Sequence, residues 1–331
     1  MTADALLVSI ADYALEYSIE SAIAFESARC CLLESLASGF EALKERACAR
    51  LVGPLVPGAM MPGGSRVPGT SLELDPVQAA FNIGALMRWR DEDGSTSARE
   101  WGHPADCLGA ILAVTDYLAR RAIMEGRPPP RLSAVLTALI KAQEIQALAL
   151  PSAELRNMGP PLRVRIASAA VAAALLGGTR EQLVSALSHA WIDGAALPIH
   201  AHPGGRGARH RWAAADAASR GVRLALLALA GDEGYPSALS APGWGVREVL
   251  CGGHALGLGR PLGTRLVDET LERRSAEERL RLLARFHCAV ARCFPPRQVE
   301  RINMLFADPR RLDDEPMNEV MAALVANGAV R

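Results

Sequence analysis

Asp91 and His103 are the residues of this chain whose types and placement best suit proton transfer. Asp91 follows the end of one expected helix and His103 precedes the start of the next, so the intervening loop can hold both at one end of a bundle. A histidine at a helix N-terminus feels the positive end of the dipole, which disfavours imidazolium and leaves a neutral ring able to take a proton. The free N–H groups there also attract a carboxylate. The plainer reading is that His103 caps its helix and Asp91 is solvated.

A second group comprises His200, His202, Arg206, Arg209, His210 and Arg211, in a stretch that also carries Gly204, Gly205 and Gly207. Glycines let the backbone approach a ligand, and arginines offer forked donors to carboxylate or phosphate, so the stretch reads as a local anion site. A solvated basic loop is the alternative. His200 and His202 also have the H-x-H spacing of some metal hydrolases, but those sites need further His or Asp ligands and sit at strand ends. Gly257-Leu-Gly259-Arg-Pro-Leu-Gly263 has a superficial dinucleotide-loop spacing, yet no strand precedes it and Pro261 would break the helix it must open. Neither a metal nor a cofactor is expected. His189, His254 and His287 have no spaced partners and are read as packing or surface residues.

The elements that must hold these groups are helical. Asp75-Pro76 supplies an N-cap and an N1 proline for a helix to about Trp89, and His103-Pro104 repeats the pattern for a helix ending near Gly126. Ser133 is expected to cap a helix to about Leu150, and Ala167 to Leu176 forms a small-residue helix. Thr179 with Gln182, and Ser275 with Glu278, are capping boxes. Residues Gly53 to Gly69 are too rich in proline and glycine for regular structure, with Met60 and Met61 expected to fill core. The fold expected is all-α, a single multi-helix domain.

Composition agrees. The chain has 331 residues, is 50% hydrophobic and only 5% aromatic, and offers core enough for a large domain but little material for a β-sandwich. Thirty-six basic residues balance thirty-six acidic ones, so no global field favours nucleic acid. Only two of the basic residues are lysines, Lys44 and Lys141, which nearly confines any Schiff-base chemistry to those two. The seven cysteines lack C-x-x-C spacing and are expected mostly as buried small hydrophobes. No leader-like segment or run of apolar residues long enough for a membrane stands out, so a cytoplasmic location is expected.

The string LDPVQAAFNIGALMRWRDEDGSTSAREWGHPADCLG, from Leu74 to Gly109, resembles the most characteristic stretch of the MmgE/PrpD family, to which the 2-methylcitrate dehydratases belong. The similarity extends through GPLVPGAMMPGGSRVPGT, TALIKAQEIQ, LSHAWIDG, WAAADAASRGVRLALLALAG and GYPSALSAPGWG, and FPPRQVERI resembles the family's closing helix. The resemblance implies a metal-free hydro-lyase acting on a small citrate-like polycarboxylate, commonly as a homodimer. Asp91 and His103 fall on the family's active-site aspartate and histidine, Ser95 on a hydroxyl position that is commonly Thr, and His202 on a loop histidine. His210 stands where the family carries a lysine, and a further family histidine is replaced around Pro160. The resemblance also implies a second, smaller α/β domain after Arg260-Pro-Leu-Gly263. Here that stretch runs almost directly toward the closing helix, so the organisation expected is a family domain at about 1–263, rejoined by closing helices at about 275–331, without the second domain. A non-catalytic or repurposed scaffold derived from such an enzyme is the reading from a different class.

Overall fold

The structure is a computed structural model that describes residues 3–90, 103–147, 153–194, 208–254, 256–258, 261–263 and 275–326, with side chains described from residue 161 onward in the helix that begins at Ala153. Four helices frame its centre: α4 (Pro76–Arg88), α5 (Leu108–Met124), α7 (Ala153–Leu175) and α9 (Ala213–Leu229). α9 packs on both α7 and α4, and α4 packs on α5. Small residues allow this closeness. A β-carbon at Gly109 of α5 would come 2.3 Å from the carbonyl oxygen of Ala80 and 2.9 Å from the Cα of Gly84, both on α4. Gly84 in turn faces Ala215 of α9, so three helices meet where none carries a side chain larger than methyl.

Around this centre stand α1 (Ala5–Glu16), α2 (Ala22–Ala42), α6 (Leu132–Gln146) and α8 (Arg180–Ile192), with short α3 (Arg46–Leu51) and α10 (Val246–Cys251). The closing helices are α11 (Ala276–Cys293), α12 (Pro296–Phe306), α13 (Pro309–Asp314) and α14 (Met317–Ala323). α11 returns to pack on α2, where Phe40 meets Phe294 edge-on at 5.2 Å between ring centroids and Phe286 at 6.5 Å. Phe286 is fully buried, which contributes about 2 kcal/mol or more. The capping boxes at Thr179 and Ser275 form, and Asp75 caps α4 through the N–H groups of Val77 and Gln78.

The all-α expectation is borne out, and the structure corrects several details. The only strands among the described residues are β1 (Ser65–Arg66) and β2 (Glu73–Leu74), an antiparallel ribbon that begins inside the Pro/Gly-rich stretch expected to be irregular. Arg66 explains it. Its backbone N–H donates to the buried carboxylate of Asp116 on α5 at 2.8 Å, and its guanidinium donates to the same carboxylate and to the Asn318 carbonyl. Met60 and Met61 are exposed at 42% and 37% rather than filling core, because the chain between Gly53 and Gly64 loops outside the packed helices. The helix expected to be capped by Ser133 starts at Leu132, after Arg131; here the chain bonds to another element instead, with Leu132 N–H donating to the Glu315 carbonyl. The small-residue helix begins at Ala153 and runs through Pro160 and Pro161, each of which removes one donor from the ladder; the buried run from Leu162 to Ala173 holds it in place regardless. Cys31, Cys48, Cys107 and Cys251 are buried as expected, whereas Cys288 is exposed.

Candidate functional site

Pro104 cannot donate a backbone hydrogen bond and presets its own dihedral, so the chain turns into a 3-10 helix at Pro104–Cys107 that feeds α5. His103 is its N-cap. The ring Nδ1 accepts the backbone N–H of Ala105 at 3.1 Å, and the backbone N–H of His103 donates to Asp106 Oδ2 at 3.0 Å. The two residues thus close a capping box with histidine in the place usually taken by Ser or Thr. Asp106 is 3% exposed, and its Oδ1 lies 2.8 Å from Nε of Arg88 at the end of α4.

This geometry decides what the ring can do. A nitrogen that accepts an N–H carries no hydrogen, so the cap bond requires a neutral imidazole with its proton on Nε2. In this turn His103 therefore carries its ring proton on Nε2, on the far side of the ring from the cap bond. Both the capping and the catalytic readings of His103 are compatible with this bond, which engages one of the two ring nitrogens.

The cationic segment is built beside the same end of α4. A second 3-10 turn, Ala208–Arg211, leads into α9, which packs against both α4 and the turn at His103. The Arg211 guanidinium lies over the Trp89 ring, 5.1 Å from its centroid and 4.0 Å from Glu45 Oε2, while the Trp89 indole N–H donates to that same carboxylate at 2.8 Å. The Arg209 guanidinium lies 4.7 Å from the centroid of Trp212 and 3.3 Å from Asp216 Oδ2. Stacking and ion pairing fix both arginines before any ligand arrives, and the carboxylates offset part of their charge. His210, between them, is exposed.

Arg90, the last described residue before Asp91, pairs with Glu45 at 2.8 Å and Glu41 at 2.9 Å, beside a cavity of about 230 Å³ that Lys44 and Arg292 also line. Burial raises the carboxyl of Glu41, but Arg285 and Arg90 outweigh it and hold the group below the usual carboxylate range. Burial, with Glu45 adding to it, pushes the Cys48 thiol up to about 12, so it is no nucleophile at neutral pH.

The structure thus brings together His103, Arg209, His210 and Arg211 at the joined ends of α4, the Pro104 turn and α9. Asp91, Ser95, His200, His202 and Arg206 lie outside the described residues. Asp106, Trp89, Glu45 and Asp216 were missed as site residues by the reading of the sequence. Asp106 was detectable, since an acid three residues after a cap is the capping-box pattern, but histidine is not among the residues that signal one. Glu45 had no local signal.

Comparison with known proteins places these residues in context. Residues 8–258 match the MmgE/PrpD N-terminal domain. The 2-methylcitrate dehydratase of Escherichia coli K12 is 48% identical over 270 residues, covering 81% of this chain and 56% of that protein. That of Cupriavidus necator is 47% identical over the same shares, and the mitochondrial 2-methylcitrate dehydratase of Yarrowia lipolytica is 44% identical over 272 residues, covering 81% of this chain and 52% of its own. The chain spans about half the length of the curated relatives it matches.

Proposed function

Because the chain belongs to the MmgE/PrpD family, we propose that it is a hydro-lyase of the 2-methylcitrate dehydratase type, eliminating water from a small citrate-like polycarboxylate. In such a reaction a base removes the proton next to a carboxylate, the C–H electron pair becomes the new C=C bond, and the β-C–O bond breaks. The departing hydroxide takes a proton and leaves as water. Asp91 is assigned the base, on its match to the family aspartate. His103 supplies the Nε2 proton or hydrogen bond to the hydroxyl that leaves. Arg209 and Arg211, with Arg206, His202 and Ser95, hold the substrate carboxylates and the enolate-like charge that develops, and His210 contributes from the position of the family lysine.

The observation that carries the reading is the fixed tautomer of His103. Asp106 holds its backbone and the Ala105 N–H holds its Nδ1, so the proton sits on Nε2 and the direction of the ring is set by the turn. A preorganised donor of this kind acts without rearranging during the reaction. Neither metal nor cofactor enters the proposed steps.

The proposal extends to organisation and setting. The described chain is read as one helical domain over 1–331, supported by the return of α11 onto α2. A homodimer is supported by the exposed apolar loop that carries Leu55, Val56, Met60 and Met61. The location assigned is the cytoplasm; among the described residues no helix is long and apolar enough to cross a membrane. The test is elimination itself: the chain incubated with 2-methylcitrate and with citrate, and the unsaturated product followed by ultraviolet absorbance. Turnover abolished by Asp91→Asn supports the assignment, and turnover unchanged in that variant removes it.

A further inference from the structure

Away from this site, one face of α6 presents Ser133, Thr137 and Lys141, spaced four residues apart, to a cavity of about 340 Å³. Val171 and Leu175 of α7 form its apolar wall, and Ala14 of α1 also lines it. Lys141 is only 7% exposed. Its ammonium donates to the Ala14 carbonyl at 2.8 Å and lies 5.9 Å from the centroid of the Tyr13 ring. No carboxylate pairs with it among the described residues. An ammonium has three donors and one is used, so two remain for whatever enters the cavity. The hydroxyls of Ser133 and Thr137 likewise have no partner among the described residues.

A buried cation without a counter-ion is unfavourable, and burial accordingly lowers the Lys141 pKa. The capping of α1 by this ammonium accounts for one donor and not for the cavity, the hydroxyls or the missing carboxylate. Donors along the α6 wall, with the ammonium at one end of it, and hydrocarbon along the α7 wall describe the complement of an acid with an apolar tail.

We propose that this cavity is a binding site for a short-chain monocarboxylate, its carboxylate on Lys141 and Thr137 and its tail along Val171 and Leu175. The site is separate from the candidate active site, so it stands or falls independently of the proposed lyase activity. A binding event here would bridge α1, α6 and α7, tying two outer helices to one of the central four.

The experiment is calorimetric titration of the 331-residue chain with hexanoate, with 1-hexanol and inorganic phosphate as controls. Hexanoate is expected to bind one to one, and neither control to bind. Lys141→Met and Thr137→Val are each expected to weaken hexanoate by about tenfold or more, the range for a hydrogen bond to a charged group. Because Lys141→Met also removes a bond to α1, a second variant is made at Ala174 of α7, which also lines the cavity. Ala174→Phe fills the cavity while leaving the ammonium, and it is expected to abolish binding with the helical circular dichroism intact. Absence of hexanoate binding to the wild type overturns the proposal. So does hexanoate affinity unchanged in Thr137→Val and Ala174→Phe, or binding of phosphate in its place.

Discussion

Asp106 accepts the backbone N–H of His103 with one carboxylate oxygen while the other lies 2.8 Å from Arg88 Nε. One buried carboxylate thus joins the last turn of α4 to the residue that carries the proposed chemistry, so the direction of the imidazole depends on helix packing as well as on its own loop.

Replacing Asp106 by Ala should therefore be more than a lost cap. The Arg88 guanidinium would lose a carboxylate 2.8 Å away at a mostly buried position, which costs about 1–3 kcal/mol. Urea denaturation should show the loss. In a folded Asp106→Asn variant, which keeps an oxygen for the His103 N–H, turnover should fall more than stability.

Gly109 tests the packing beneath the site. A β-carbon there would sit 2.3 Å from the Ala80 oxygen, a backbone atom that can yield only if α4 and α5 separate. Gly109→Ala should destabilise the chain by about 1–3 kcal/mol, the range for overpacking, and should displace the Pro104 turn. Thermal denaturation with a parallel activity assay checks both.

Glu41 gives a pH-dependent signature. Its carboxyl is held below the usual range in the folded chain by Arg285 and Arg90. Its contribution is therefore full above the unfolded carboxylate pKa and is lost as pH falls through the lower folded value. Glu41→Gln should reduce stability by about 1 kcal/mol at neutral pH, and the gap from wild type should close in acid. Urea midpoints measured across that range decide it.

The helices were legible because their signals are local. Asp75, Thr179 and Ser275 each sit beside the donors they cap, and so each could be read from a few residues. The ribbon was not legible, since Arg66 takes its carboxylate from Asp116 and a carbonyl from Asn318, far along the chain. The site divides the same way. His103 was visible as a cap and as a family position, but its tautomer is set by a bond that only the folded turn reveals. The hold of Glu45 on Trp89 and Arg211 joins three separate segments, and no spacing in the sequence encodes it.

The most direct measurement for the central claim is the turnover of His103→Asn on 2-methylcitrate beside that of the wild type. Asparagine can accept the Ala105 N–H and keep the turn, but it has no imidazole Nε2–H to give. Wild-type chain should eliminate water, and His103→Asn should retain a near wild-type melting temperature while losing about 10²–10⁴ in kcat, the range for a general acid or base. An equally fast His103→Asn, or a wild-type chain that dehydrates neither 2-methylcitrate nor citrate, would contradict the account.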